Sequence, residues 1–165
     1  MIIDLKQIFV TDNSSLPLEY ALDLSDVEYS GLFPLKESVI LNGTVSNKAS
    51  LIRLEAEIVY YFDAPCDRCG LKTVKKHTVT VSKSLASSIE GEESDTILIV
   101  PDMKLDLDEL IYTEVIMSLP MKHLCKKECK GICSKCGKNL NDGNCNCETK
   151  EIDPRLSALA ELLNN

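Results

Sequence analysis

The sequence predicts an α+β fold: an antiparallel β-sheet or partial barrel, one internal helix, a cysteine-rich segment and a C-terminal helix. Three observations support this prediction. Segments that are rich in β-branched residues, or that alternate apolar and polar residues, occupy most of the first hundred positions. An apolar helical pattern then ends at Pro120, and six of the eight cysteines follow in a stretch without useful periodicity.

The strand segments precede the helical pattern. Alternation is clearest in 49–62, where Leu54 and Ile58 would face one way and Glu55 and Glu57 the other. Two strand segments flank a short Cys-Asp-Arg-Cys-Gly sequence at 66–70, which should therefore form a hairpin tip. The segments that read as strands are 1–10, 38–45, 49–62, 74–81 and 95–100.

Two helices are predicted after the strands. Asp106 is a suitable N-cap with Glu109 three residues later, and Pro120 ends the first helix. Asp153 and Pro154 are suited to the cap and first position of a second helix. The acidic stretch 90–95 reads as a solvated loop.

We therefore predict a β-rich domain with its closing helix at 1–120, a cysteine-rich zinc-knuckle segment at 121–150, and a C-terminal helix at 151–165 packed on the domain.

The chain shows no sign of a membrane or secretory route. The first residues lack a basic region followed by an apolar core, and no apolar run approaches the roughly 20 residues of a spanning helix. We expect a cytoplasmic protein without membrane contact. Reducing conditions there disfavour disulfides, so metal binding or catalysis becomes the expected use of the cysteines.

The cysteines come in closely spaced pairs. Two pairs share the form Cys-x2-Cys-Gly, which builds a knuckle whose backbone N–H groups point at the sulfurs. Paired knuckles are typical of structural zinc, so we predict one or two zinc ions. The candidate ligands are Cys66, Cys69, Cys125, Cys129, Cys133, Cys136, Cys145 and Cys147.

Three ligand arrangements remain open at the level of sequence. Cys133, Cys136, Cys145 and Cys147 could form a local site, closed by the turn at 141–143. Alternatively, Cys66 and Cys69 could meet Cys133 and Cys136 as a zinc ribbon. In the third arrangement, two ions use all eight cysteines. His123, two residues before a cysteine, is a further candidate ligand, whereas His77 reads as an exposed strand residue.

The sequence predicts no catalytic residues. A site closed by four thiolates leaves no open coordination position for water or substrate. We find no glycine-rich phosphate loop, nucleophile elbow or His-Glu-x-x-His motif. The spacing of Cys129, Cys133 and Cys136 matches an iron–sulfur motif, but the chain lacks the βα alternation of the enzymes that use it. The alternative class is a thiol redox or metal-handling protein that uses the Cys66/Cys69 pair.

The net charge of −8 is unevenly distributed. The segment 66–83 contains five basic residues and one acidic residue, and the segment 121–140 contains six basic residues and one acidic residue. Both segments also carry the cysteines. Their basic residues would either compensate metal-bound thiolates or form a face for a polyanion.

Several motifs together resemble a known family. They are Cys66-Asp-Arg-Cys69, the Leu105-Asp-Leu that leads the helix, the run from Cys125 to Asn141, Cys145-Asn-Cys147, and Asp153-Pro-Arg-Leu-Ser-Ala-Leu159. The chain is thereby similar to the YceD family, the large ribosomal RNA subunit accumulation proteins of bacteria and plastids. Gly70 stands where the family usually has Leu, and Ser134 where it usually has Pro. Some members lack most of the C-terminal cysteines, which implies that zinc is structural in this branch.

The resemblance implies a role in the synthesis, processing or stability of large-subunit (23S) ribosomal RNA. The implied partner is that RNA or a pre-ribosomal particle, with a basic ribosomal protein as a further candidate for the acidic face. A protein-interaction module without RNA contact is the remaining alternative. The residues that we expect to face phosphate are Arg68, Lys72, Lys75, Lys76, Lys126, Lys127, Lys130 and Lys135.

Overall fold

The computed structural model describes residues 1–88 and 96–147. They cluster in two units. Of the described residues, those within Met1–Ala64 and Lys72–Met121 form the sheet unit, and those within Pro65–Leu71 and 122–147 form the cysteine unit. The predicted 1–120 domain included the turn at 66–70, whereas the structure groups residues 65–71 with the later cysteines. The predicted C-terminal helix and the acidic stretch 90–95 lie outside the described residues.

In residues 1–88 and 96–147, the helices and strands precede the cysteine-rich stretch. In chain order they are β1 (Ile2–Asp4), α1 (Lys6–Val10), β2 (Ser14–Leu22), β3 (Val39–Lys48), β4 (Leu51–Pro65), β5 (Lys72–Ala86), β6 (Ile97–Ile99), a 3-10 turn (Pro101–Met103), β7 (Lys104–Asp106) and α2 (Leu107–Ser118). Within the described ranges, five strands form one sheet in the order β2-β3-β4-β5-β6, and β1 pairs with β7. The α+β prediction is thus confirmed.

The sheet is antiparallel in its β2–β3–β4 part and parallel at its last pair. Gly43 of β3 lies opposite Leu18 of β2 and Ala56 of β4. By contrast, β6 runs parallel to β5, with Ser84 opposite Ile97. The sequence predicted an antiparallel sheet or partial barrel, and this edge pair is a parallel exception to the antiparallel pairing.

The core of the sheet unit forms on one face of the long strands. Leu54, Ala56 and Ile58 of β4 are buried, while Glu55 and Glu57 between them are exposed. The alternation predicted from the sequence is confirmed, because successive side chains of a strand point to opposite faces. The largest fully buried side chains include Tyr60, Leu5, Leu35, Leu41, Leu54, Ile58, Leu107 and Ile111.

Helix α2 matches its sequence prediction closely. The Asp106 Oδ1 atom accepts a hydrogen bond from the Asp108 N–H at 3.0 Å, as an N-cap does. The helix ends at Ser118, before Pro120. Its predicted apolar face is buried in the core, at Leu107, Leu110, Ile111, Val115 and Leu119. In the part of the chain that the structure describes, no helix is both long enough and apolar enough to cross a membrane.

Sequence reasoning missed two elements near the N-terminus. The apolar run at 1–10 divides into β1 and α1, and β2 was not predicted because Pro17 interrupts its pattern. Since β2 is an edge strand, the missing N–H of Pro17 is tolerated there. His77 was expected to be exposed, but it is half-buried and stacks on Tyr60 with ring centroids 5.1 Å apart.

Candidate metal centre

The eight cysteines form two separate groups of four. Within each group the sulfur atoms all lie within 4.8 Å of one another, close enough to hold a metal ion. We call them the first centre (Cys66, Cys69, Cys125 and Cys129) and the second centre (Cys133, Cys136, Cys145 and Cys147). Of the three arrangements left open by the sequence, this grouping matches the one that uses all eight cysteines. The ribbon that joins Cys66 and Cys69 to Cys133 and Cys136 is not formed, and the candidate ligand His123 is in neither group.

The first cysteine pair of each centre lies in a turn of the same geometry. In the first knuckle, the N–H of Cys66 donates to the Leu71 carbonyl at 2.9 Å, and the N–H of Gly70 donates to the Cys66 carbonyl at 2.8 Å. In the second, Cys133 donates to Lys138 at 2.8 Å, and Gly137 donates to Cys133 at 2.9 Å. Gly70 and Gly137 both have φ of 72°, a left-handed conformation that disfavours side chains. The shared Cys-x2-Cys-Gly spacing therefore encodes one local structure twice.

The first centre is assembled from two distant parts of the chain. Strand β4 ends at Pro65 and β5 begins at Lys72, so Cys66 and Cys69 lie in the connection between these strands. The Cys66 and Cys129 sulfurs are 3.8 Å apart, and those of Cys69 and Cys125 are 3.6 Å apart. Four sulfurs at about 2.3 Å around a tetrahedral zinc ion would be separated by about 3.8 Å. The spacing therefore suits a tetrahedral ion and is far longer than the roughly 2 Å of a disulfide.

Each knuckle favours a thiolate at its first cysteine. Burial opposes ionisation of Cys66, but backbone N–H groups of Cys125, Arg68 and Cys69 outweigh it and lower the pKa of this thiol to about 6. In the second knuckle, backbone N–H groups of Cys136 and Lys135 lower the pKa of Cys133 to about 6. A thiolate is the form that binds metal, so the low pKa values of Cys66 and Cys133 favour cation binding at both turns.

The other cysteines show why a cation is needed. Burial and the neighbouring thiols of Cys129 and Cys69 raise the pKa of Cys125 to about 12. The neighbouring thiol of Cys136, together with burial, likewise raises the pKa of Cys147 to about 12. Four thiolates this close repel one another unless a cation lies between them. The donor set of each centre therefore fits a divalent ion bound by four thiolates.

Asn141 supports the first centre, and sequence reasoning missed this role. Its Nδ2 group donates to the Cys129 sulfur at 3.3 Å and lowers the pKa of that thiol. Its Oδ1 atom accepts from the N–H of Lys130 at 3.0 Å. The turn at 141–143 was expected to close the local site of the later cysteines, whereas this side chain serves the earlier one. An amide residue near a cysteine cluster is the signal that could have identified it.

A second set of contacts joins the two parts of the cysteine unit. The N–H of Asp67 donates to the His123 carbonyl at 2.8 Å, and the Asp67 carboxylate accepts from the His123 N–H at 2.6 Å. The Arg68 Nη1 group donates to the Cys129 carbonyl at 2.7 Å. The two residues between Cys66 and Cys69 thus position the segment that supplies the other two ligands.

A family model described as "Large ribosomal RNA subunit accumulation protein YceD" matches residues 54–163, which include every cysteine of both centres. The chain belongs to the YceD family.

Two similar proteins share about a quarter of their residues with this chain. An uncharacterized protein of Mycobacterium tuberculosis is 27% identical over 92% of this YceD chain and 72% of its own length. A chloroplastic protein of Arabidopsis thaliana, named as a YCED homolog for large ribosomal RNA subunit accumulation, is 25% identical over 90% of this chain and 54% of its own. No solved structure matches.

The two centres of this YceD protein differ in exposure. Cys66 and Cys129 of the first centre are only 3% and 1% exposed, and Cys69 and Cys125 are half-buried. In the second centre Cys133 is buried, but Cys136 is exposed, and Cys145 and Cys147 are half-buried. Solvent and reagents therefore reach the second set of sulfurs more easily.

The structure divides the predicted phosphate-facing residues between the two units. Arg68, Lys126, Lys127, Lys130 and Lys135 belong to the cysteine unit and are exposed. Lys72, Lys75 and Lys76 belong to β5 in the sheet unit. Within β5, Lys72 and Lys76 are exposed, whereas Lys75 is half-buried on the opposite face, with His77 and Val79.

Proposed function

We propose that this YceD protein is a non-enzymatic factor that supports the synthesis, processing or stability of large-subunit ribosomal RNA and is stabilised by two structural zinc ions. The family match over residues 54–163 is the observation that supports the ribosomal role. The two groups of four cysteine sulfurs support the zinc sites. We further propose that the protein acts in the cytoplasm, where bacterial ribosomes are assembled.

The choice of zinc follows from ligand chemistry. Four thiolates around one ion are typical of structural zinc, and the sulfur separations of 3.6 and 3.8 Å in the first centre suit its tetrahedral geometry. An ion held by four protein sulfurs has no open position for water or substrate. This supports a structural role for the metal and a protein without metal-based catalysis.

Metal analysis of the native protein tests the zinc proposal directly. Purified without chelators and measured by elemental mass spectrometry, the full chain should carry two zinc ions. Replacing Cys66 and Cys69 by Ser should leave one ion, and so should replacing Cys145 and Cys147. Iron in place of zinc, or a folded protein with no metal and eight reactive thiols, would contradict the proposal.

The proposed partner is large-subunit ribosomal RNA within a precursor particle. Residues 65–71 and 122–147 hold seven basic residues against three acidic ones. Each loaded centre would add two negative charges, since four thiolates outweigh one divalent ion. These charges offset the basic excess, so attraction to RNA depends on where the lysines lie and not on net charge.

Cosedimentation tests the ribosomal role. The protein should migrate with precursors of the large subunit in a sucrose gradient and bind ribosomal RNA at about 50 mM salt, with affinity falling as salt rises. Cells without the protein should accumulate less mature large-subunit RNA. Absence of any affinity for the RNA, the particle and the ribosomal proteins would refute the role.

A thiol redox function is the second candidate, because hydrogen bonds lower the pKa of Cys66 to about 6 against the opposing effect of burial. Thiol titration with and without a chelator separates the two functions. Structural zinc predicts that Cys66 and Cys69 react only after chelation. Fast reaction of this one pair in the metal-loaded protein would favour redox chemistry.

A further inference from the structure

Resting on the proposed ribosomal role, we propose that the turn from Cys125 to Lys130 is a docking site for the phosphate backbone of RNA, and that the metal of the first centre holds it in shape. We call this segment the lysine turn. It carries Lys126, Lys127 and Lys130.

The lysine turn has a defined backbone. The N–H of Cys129 donates to the Lys126 carbonyl at 3.1 Å, which closes a tight turn. Two of its residues are ligand positions of the first centre, since Cys125 lies 3.6 Å from Cys69 and Cys129 lies 3.8 Å from Cys66, sulfur to sulfur. Its last residue is held by Asn141, whose carboxamide oxygen accepts from the Lys130 N–H. An ion in the first centre would therefore fix Cys125 and Cys129, with Lys126 and Lys127 between them and Lys130 next to Cys129.

These ammonium groups are available to a ligand. Lys126, Lys127 and Lys130 are all exposed. Within residues 1–88 and 96–147, the ion pairs of Lys6, Lys36 and Lys83 all lie in the sheet unit. The acidic side chain within the turn is Glu128, and Asp67 of the same unit is bonded to the His123 N–H. The turn therefore keeps a local excess of positive charge.

The other predicted basic residues are less suited to this role. The Arg68 guanidinium donates a hydrogen bond to the Cys129 carbonyl, so this side chain helps to position the turn. Lys72 and Lys76 lie on a β-strand of the unit that also exposes Glu55 and Glu57. The lysine turn is thus the part of the predicted set that combines exposure, clustering and a fixed backbone.

The chemistry of the cysteine unit favours phosphate over bases. Residues 65–71 and 122–147 contain no Phe, Tyr or Trp, so base stacking has no aromatic platform there. Ammonium groups bind phosphate oxygens as point charges and carry no sequence information. The site should therefore bind RNA with little sequence preference and with strong salt dependence.

Substitution of the turn gives the first test. The variant K126Q/K127Q/K130Q removes three charges from the full-length metal-loaded protein, and K48Q/R53Q/K104Q removes three exposed charges from the sheet unit, outside the predicted phosphate-facing set. With a hairpin fragment of large-subunit ribosomal RNA as the probe, the turn variant should lose about tenfold or more in affinity at about 50 mM salt. Its slope of log affinity against log salt should fall by about two to three, as expected for three lost phosphate contacts. The control should change less than threefold.

Metal removal gives the second test. Chelation should abolish binding of the probe by the wild-type protein, and added zinc should restore it. Unchanged affinity of the turn variant, or unchanged affinity after confirmed loss of both ions, would overturn the proposal. If that variant still cosediments with precursor particles, the ribosomal role survives without this site, whereas absence of the wild-type protein from the particles would refute the role itself.

The particle also separates RNA from protein partners. Nuclease digestion of the particle should release the wild-type protein. Retention on the ribosomal proteins after digestion, lost in the turn variant, would overturn the RNA assignment in favour of an acidic protein surface.

Discussion

At the scale of single residues, Gly43 is a position in the sheet unit with no room for a side chain. It lies on the inward-facing side of β3 opposite Ala56, and a Cβ atom at Gly43 would be 2.5 Å from the Ala56 Cβ and 2.6 Å from the Glu55 carbonyl oxygen. Contacts this short force neighbouring backbone to move. The glycine is therefore required by the close approach of two strands.

Gly43→Ala should destabilise the sheet unit by about 1–3 kcal/mol, the usual effect of overpacking a filled interior. Asn42→Ala is the matched control, because Asn42 is the exposed neighbour on the same strand and its change should cost well under 1 kcal/mol. Urea unfolding followed by circular dichroism measures both. Equal midpoints for the two variants would show that β3 and β4 can separate without cost.

Asn141 gives a second prediction at this scale. Its Nδ2 group stabilises the Cys129 thiolate, so Asn141→Ala should weaken metal binding by the first centre about 10- to 100-fold, as loss of such outer contacts does. Asn144→Ala is the control, since Asn144 is exposed and uses its backbone carbonyl to accept from Lys138. Competition with a chromophoric chelator measures the affinity. A parallel loss of affinity at the second centre would contradict a role specific to Cys129.

At the scale of elements, the two knuckles have the same backbone but different surroundings. In the first, Asp67 and Arg68 are bonded to residues 123 and 129. The second ligand of the first knuckle, Cys69, is half-buried, whereas the second ligand of the other knuckle, Cys136, is exposed. The duplicated turn therefore occurs once with a half-buried second ligand and once with one that solvent reaches freely.

The second centre should consequently lose its ion first. Limited treatment with hydrogen peroxide should convert two of its thiolates to a disulfide, with reduction of the peroxide to water and release of one ion. Peptide mass spectrometry should locate this early disulfide among the ligands of the second centre. The release of zinc, followed with a chromophoric chelator, should be biphasic. Early oxidation of Cys66 or Cys129 would show that burial does not protect the first centre.

The elements also show where sequence patterns are sufficient. Helix α2 followed from Asp106, its apolar face and Pro120, because capping and periodicity act over a few residues. Strand β2 was missed because Pro17 suits only an edge, and the edge position of a strand depends on the order of the whole sheet.

At the scale of the whole molecule, each of the two units is stabilised internally by a different kind of interaction. The buried hydrophobic cluster consists of sheet-unit side chains, from Leu5 in the N-terminal segment to Leu119 after α2. In the described part of the cysteine unit, the buried side chains are those of Cys66, His123, Cys129 and Cys133. With so little apolar burial, we expect this unit to depend on bound metal for order.

Chelation should therefore unfold one unit and leave the other intact. In hydrogen-exchange mass spectrometry, residues 122–147 should lose protection after removal of zinc, while strands β3 and β4 keep theirs. Readdition of zinc should restore the original pattern. Loss of protection throughout both units would show that the sheet unit also depends on metal, and full protection everywhere would end the argument for metal-dependent order.

The sequence by itself determined the local structures. The alternation of β4, the cap of α2 and the two Cys-x2-Cys-Gly turns each depend on neighbours a few residues away, and each was predictable. Only the tertiary structure decided which cysteine pairs share a centre, since the pairs are chemically equivalent and their partners lie as far apart as Cys66 and Cys129. The same limit applies to the parallel pairing of β6 and to the contact of Asn141 with Cys129, because long-range positions depend on how the whole chain folds.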